Sequence, residues 1–262
     1  PAQSEVFSKL PESYQFLQPN GGRFFYTPSV EEQNRVTFGK TYNDALWEAK
    51  DSFTDNWPLI HHFVNFYGYE SIKPRAMMDY YRGNFGRGRF GRRQLEQLSA
   101  ANVQFIVSAV PLKFRELKLL QDKFTYGRHF YLYENRAVLP RTYVIFPGKQ
   151  TILDLRAAAI IKDAPNEVVI KVKTKKAGIL FLADSYYPGW RAWVDNRPVE
   201  ISKAVGLYRR VPVESGEHVV RFHYEPWSFY FGGIVSLLTL GLILAGLVVA
   251  RKRRQLVSYT GQ

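Results

Sequence analysis

The sequence predicts an α+β segment, then a β-sandwich of jelly-roll type, then one C-terminal transmembrane helix. Three observations carry this. Residues Phe229 to Ala250 form an apolar run without a charge. Residues 165 to 226 read as short strands parted by turn residues every eight to twelve positions. The region before them mixes strand-like and helix-like stretches.

The apolar run, taken as a helix, is about 33 Å long against a hydrocarbon core of about 30 Å. Trp227, Phe229, Tyr230 and Phe231 stand at its start, where an aromatic belt is expected. Arg251 to Arg254 read RKRR directly after it, while the other flank offers mainly Arg221. The excess of positive charge then places residues 251–262 in the cytoplasm as a basic tail and residues 1–226 outside the cell membrane. Gly232 and Ser236, Gly241 and Ala245, and Gly246 and Ala250 are small residues four apart. That spacing suits packing against other transmembrane helices, although small residues are common in membrane helices generally. No apolar export signal occurs in the first thirty residues. A domain outside the membrane is therefore expected to be the C-terminal part of a longer polytopic protein.

In the sandwich region, EVVIKVKT sets Val168, Ile170 and Val172 against Val169, Lys171 and Lys173, a period of two. ILFLADSY is a mostly apolar strand suited to a core. YPGW and DNRP read as turns around RAWV, because Pro fixes φ and Gly, Asp and Asn tolerate turn geometry. VEISKA, LYRRVPV, the ESGE turn and HVVRFHYEP complete the series. Upstream, RFFYT and VQFIVS read as strands, and NDALWEAKDSF and RRQLEQLSAA as helices. HFYLYEN and PRTYVIF read as two strands joined by RAVL. The expected division is a mixed α+β region at 1–125, a sandwich at 126–226, a transmembrane helix at 227–250 and a tail at 251–262.

The chain has 262 residues, a net charge of +13 and no Cys. Disulfides, Cys-based metal sites and Cys nucleophiles are excluded. His61 and His62 are adjacent and would point to opposite faces of a strand, without HxxxH spacing. No metal site and no cofactor are expected.

DSYYPGWRAWVDNRPVEI followed by VPVESGEHVVRFHYEP and a terminal membrane helix resembles the C-terminal end of the bacterial YfhO family of membrane proteins. LSAANVQFIVS, LYENRAVLPRTYVI and NFYGYESI resemble further family motifs, the second a Tyr-Glu-Asn to Leu-Pro-Arg hairpin, so the likeness extends over nearly the whole chain. Phe105 stands where the family has Tyr, and GRGRFGRR is not part of the pattern. The resemblance implies a large polytopic protein of the GT-C glycosyltransferase type. It further implies sugar transfer from a lipid-phosphate donor to a cell-envelope glycopolymer such as lipoteichoic acid. The catalytic acid of such enzymes lies in an early loop, so no catalytic residue is expected here.

Candidate contacts remain. Tyr186, Tyr187, Trp190 and Trp193 could stack on sugar rings or simply build the core. Alternation sends Trp193 to the face opposite Ala192 and Val194, so the four cannot form one platform. Packing is the favoured reading, with Trp190 largely buried and Tyr187 and Trp190 kept as substrate-facing candidates. Asp184 and Asp195 could suggest a glycosidase pair, but Asp195 belongs to a turn. His62, Asn65 and Tyr69 lie in or beside an aromatic, polar loop that could face substrate. Residues 80–94 hold Arg82, Arg87, Arg89, Arg92 and Arg93 with four Gly and no acid. In the cytosol that would suggest RNA. Outside the membrane no nucleic acid is expected, and the arginines suit phosphates of a lipid-linked sugar, lipid headgroups or an anionic envelope polymer, or form a solvated loop. The expected function is thus an ectodomain and anchor assisting a membrane glycosyltransferase. A non-enzymatic envelope-binding or structural ectodomain is the alternative.

Overall fold

The computed structural model describes residues 22–29, 64–66, 74–85, 90–125, 128–148 and 151–259, with 249–259 as backbone only. The described strands form three five-stranded sheets.

The first sheet contains β1 (Arg23–Tyr26), β2 (Val64–Asn65), β3 (Val103–Ser108), β4 (Leu117–Thr125) and β5 (Arg128–Asn135), in the order β2-β1-β3-β5-β4. β1 runs parallel to β2 and β3, and the remaining pairs are antiparallel. RFFY splits its rings between two faces, as strand alternation requires. Phe25 joins Ile106 and Tyr133 under α1 (Arg75–Phe85) and α2 (Arg92–Ala100), which bring in Tyr80, Tyr81, Phe85, Leu95 and Leu98. Phe24 and Tyr26 join Phe105, Val107, Phe130 and Leu132 on the other face.

The second sheet contains β6 (Thr142–Phe146), β7 (Ile152–Asp154), β10 (Gly178–Ser185), β13 (Ser202–Ala204) and β14 (Tyr208–Val213). The third contains β8 (Ala158–Ala164), β9 (Glu167–Thr174), β11 (Trp190–Val194), β12 (Arg197–Val199) and β15 (Gly216–Tyr224). Their inner faces share one core. Val144, Leu180, Leu182, Val211 and Val213 meet Val168, Ile170, Val172, Ala192, Val220 and Phe222. Burying each such side chain contributes about 1.5–3 kcal/mol, so the period-two pattern of β9 is what holds the sheets face to face. The outer face of the second sheet presents Tyr143, Phe181, Ala183 and Tyr208 to the core under α1 and α2. The α+β part and the sandwich therefore share packed surface. Asp195 and Asn196 turn between β11 and β12 with φ of 49° and 65°, as a two-residue hairpin requires. β15 leads into α3 (Trp227–Tyr259), whose residues Trp227–Val248 have a mean hydropathy of 2.3 and are not buried by the rest of the chain.

Two expectations change. LYEN and PRTYVI do not make a hairpin: β5 pairs with β3 and β4, while β6 pairs with β10 and β7. The reason is local. Asn135 donates to the Val103 carbonyl at 2.9 Å and to Ser99 at 3.0 Å, and Asn102, at a φ of 60°, donates to the Leu139 carbonyl at 2.8 Å. These bonds draw 136–141 across the end of α2 and into the next sheet. The change from the first sheet to the second comes between 135 and 142. The Arg/Gly stretch 80–94 is also not one loop. Residues 80–85 complete α1, with Tyr80, Tyr81 and Phe85 buried, and 92–94 open α2.

Candidate functional site

At the C-terminal end of β10 the chain gathers five charges from all three sheets. Asp184, whose side chain is 10% exposed, receives Arg23 of β1 at 2.5 Å. Arg141, just before β6, grips it with two bonds, Nε to Oδ1 at 2.9 Å and Nη2 to Oδ2 at 2.7 Å. Arg209 of β14 reaches Oδ2 at 3.1 Å. Arg141 also holds Asp163 of β8 at 2.5 Å, extending the tie to the third sheet. Arg23 caps two further backbone oxygens, those of Ala101 and Ala183.

Burial alone would push the Asp184 carboxyl up. The Arg141 hydrogen bonds and the Arg23, Arg141 and Arg209 charges overcome it and hold the carboxyl down at about 2. Arg209, 3% exposed, is pushed down to about 10 by burial and by its two arginine neighbours, against the pull of Asp184. Its Nη1 is buried and finds no hydrogen-bond partner among the described residues. Its guanidinium carbon instead lies 3.8 Å from the centre of the Trp190 ring and 5.3 Å from that of Phe222. A carboxylate tuned this far from neutral pH, with each oxygen occupied, is a poor acid or base catalyst. The arrangement ties three sheets together.

Trp190 is mostly buried without being fully enclosed, packed against the sandwich core: besides Arg209 it leans on Tyr224, centroids 5.3 Å apart. Tyr187 is 48% exposed and also lies near Tyr224, centroids 6.5 Å apart. Trp193 lies on the opposite face beneath Arg221, 4.6 Å away. Asn65 stands half-buried on β2, and Arg82 is exposed on the last turn of α1. Arg92 is exposed and pairs with Glu116 at 2.9 Å, and Arg93 is exposed beside it. His62, Tyr69, Arg87 and Arg89 lie outside the described residues. The structure thus brings Tyr187 and Trp190 together around Tyr224.

Sequence reasoning missed the Asp184 cluster, weighing Asp184 only as half of a glycosidase pair with Asp195. Asp195 does sit in a turn, accepting from the Val219 amide at 2.8 Å and contacting His218 Nδ1 at 2.7 Å. Asp184 is buried. The available signal was its setting, an acid at the end of an apolar strand, which demands a cationic partner. At the far end of the sandwich a cleft of about 560 Å³ is lined by Phe146, Ile152, Lys173, Lys175, Lys176 and Glu217 among others. None of the sequence candidates borders it. Among the described residues no cluster of three His, Asp or Glu side chains is placed to hold a metal.

The fold and the span together define a membrane protein whose β-sandwich passes directly into an apolar helix. Residues 149–236, from just before β7 into the first turns of α3, match the family model described as bacterial membrane protein YfhO. That is about a third of the chain, and the upstream motifs lie outside it. No curated protein and no solved structure matches the chain.

Proposed function

We propose that this chain is the substrate-facing ectodomain and membrane anchor of a polytopic, glycosyltransferase-related protein. It assists transfer of a sugar from a lipid-phosphate donor to a cell-envelope glycopolymer such as lipoteichoic acid. The supporting observation is the YfhO match, which runs through the sandwich and into the span as one unit. Catalysis resides in the parent protein. The ectodomain contributes affinity, with Arg82 and its neighbours engaging phosphates and the 62–69 segment, including Asn65, engaging the acceptor. Tyr187 stands at the end of the sandwich nearest α3, the level at which a lipid-linked sugar carries its phosphate.

The test is kinetic. In the parent protein, replacing Arg82, Arg87, Arg89, Arg92 and Arg93 by Gln should weaken substrate use, and more so at low salt, where charge pairing is least screened. Unchanged use at every salt concentration sinks the assignment, as does sugar transfer by purified residues 1–262 alone. Sidedness is read separately. A Ser185→Cys protein should react with a membrane-impermeant reagent on intact cells, and labelling only after lysis would place the sandwich in the cytoplasm. A non-enzymatic structural ectodomain is the second reading. It is favoured by the commitment of Asp184, the most perturbed carboxylate in the sandwich, to three arginines.

A further inference from the structure

The passage from sandwich to span is two residues long, Glu225 and Pro226. Three Cα–Cα steps separate Tyr224 from Trp227, at most about 11 Å. The backbone in between has little slack. Tyr224 N–H donates to the Asn166 carbonyl at 2.8 Å, and Glu225 N–H donates to the Gly189 carbonyl at 2.8 Å. Pro226 has a fixed φ, and its carbonyl accepts from Phe229 N–H at 3.0 Å inside α3. Whatever lies at this end of the sandwich is held close to the N-terminal end of the membrane span.

Register shows what lies there. Trp190 is opposite Tyr224, Ser185 is opposite Tyr208, and Ala204 is opposite Tyr208. Tyr186 N–H donates to the Leu207 carbonyl at 2.6 Å. The 186–189 turn and the tip between β13 and β14 therefore flank the exit of α3. Both present apolar or aromatic groups outward. Tyr187 is 48% exposed, and Val205, at the tip, is 67% exposed. Val205 also holds a φ of 50°, a conformation rare for a β-branched residue. Lys203 sits over the Tyr186 ring at 5.2 Å, and Arg191, its side chain 65% exposed, reaches Glu225 Oε2 at 3.5 Å with the rest of its guanidinium turned outward. Trp227 and Tyr230, at the start of α3, are 73% and 55% exposed.

We propose that the 186–189 turn and the Val205–Gly206 tip form a seat resting in the lipid headgroup layer at the N-terminal end of α3, with Lys203 and Arg191 facing lipid phosphates. Tyr and Trp favour that layer, and Lys and Arg reach its phosphates while their stems lie on apolar surface. The occupant is lipid because the seat leads into the span itself: exposed Tyr187 lies against Tyr224, three residues before the exposed Trp227, and exposed Val205 lies at the same end of the sandwich. The seat depends on α3 spanning the bilayer and not on sugar transfer, so its failure would leave the proposed function untouched.

The chain has no Cys, so single labels are unambiguous. The full chain, reconstituted in phosphatidylcholine–phosphatidylglycerol vesicles, would carry an environment-sensitive fluorophore at Val205→Cys, Tyr187→Cys or Lys176→Cys. Position 176 lies at the opposite end of the sandwich, about 27 Å away along the length of β15. Headgroup-attached nitroxide lipids should quench the labels at 187 and 205 several-fold more than the label at 176. Aqueous iodide should show the reverse order. Equal quenching at all three positions overturns the seat. So does cross-linking of position 205 to a second polypeptide with no lipid quenching, because the occupant would then be protein. If Val205→Cys does not fold, because its backbone is unusual, Tyr187→Cys decides alone.

Discussion

The Arg209 guanidinium carbon lies 3.8 Å from the centre of the Trp190 ring while Nη2 of the same group donates to Asp184 at 3.1 Å. Trp190 belongs to the third sheet and Arg209 to the second. One side chain thus joins the inner faces of the sandwich and, through Asp184, connects them to Arg23 of the first sheet. The indole gives this buried cation a polarisable face to lie against, which offsets part of the cost of burying it.

Trp190→Ala should therefore cost more than lost area. It removes the cover from Arg209 and opens a void beside Tyr224. We expect a loss of about 3 kcal/mol, the low end for a large buried aromatic, because the indole is not fully enclosed. Trp190→Phe should retain part of it. Chemical unfolding of the full chain in detergent, followed by circular dichroism, measures both. An unchanged midpoint for Trp190→Ala contradicts this role.

Asp184→Asn leaves three arginines without their shared counter-charge. Breaking a buried ion cluster from one side costs about 3–5 kcal/mol. Asp195→Asn, at an exposed turn, should cost far less. Adding Arg209→Met to Asp184→Asn should cost less than Arg209→Met alone, because the partners are coupled. Strict additivity of the two changes would show that Asp184 and Arg209 do not act together.

The same cluster sets an acid dependence. Asp184 is held at about 2 in the fold, against 3.8 ordinarily. The unfolded chain binds the proton more readily between those values, so stability rises with pH there. The contribution, about 2 kcal/mol, is fully present above about pH 4 and is lost as pH falls through about 2. His218, raised above 6.5 first by its hydrogen bond to Asp195, has the opposite sign. Its contribution is present below pH 6.5 and disappears as pH rises through the elevated value. Unfolding midpoints across pH should lose part of their acid slope in Asp184→Asn and their fall near neutral pH in His218→Gln. Profiles that superimpose on the unsubstituted protein refute the respective assignment.

What was legible in the sequence was local. The alternation of β9, the Asp195–Asn196 turn and the apolar span each lie within a short window, and each appears where the pattern placed it. The Asp184 partners lie 161, 43 and 25 positions away, and no local pattern encodes such a meeting. α1 was hidden by composition. Arg and Gly in residues 80–94 suggested a loop, although Tyr81 and Phe85 are four apart and could have marked a buried helical face. β5 and β6 were legible as strands but not as members of different sheets, because bonds from Asn102 and Asn135 decide that passage.

Gly189 tests how firmly the aromatic turn is held against the root of the span. Its φ is +111°, and a Cβ there would lie 2.9 Å from Cε2 of Tyr224 and 3.0 Å from Cα of Pro226. Tyr224 can shift slightly, but Pro226 is backbone at the entry to α3 and cannot move without moving the helix. Gly189→Ala should therefore lose about 1–3 kcal/mol from backbone strain, with a steric cost added to it. Gly206→Ala is the control. Its φ is +74° with open space around the added Cβ, so only the left-handed penalty of about 1–2 kcal/mol applies. The ordering of the two unfolding midpoints is the measurement. If Gly206→Ala proves the more damaging, the turn does not pack on the junction as described, and the close approach of the sandwich to the membrane loses its structural basis.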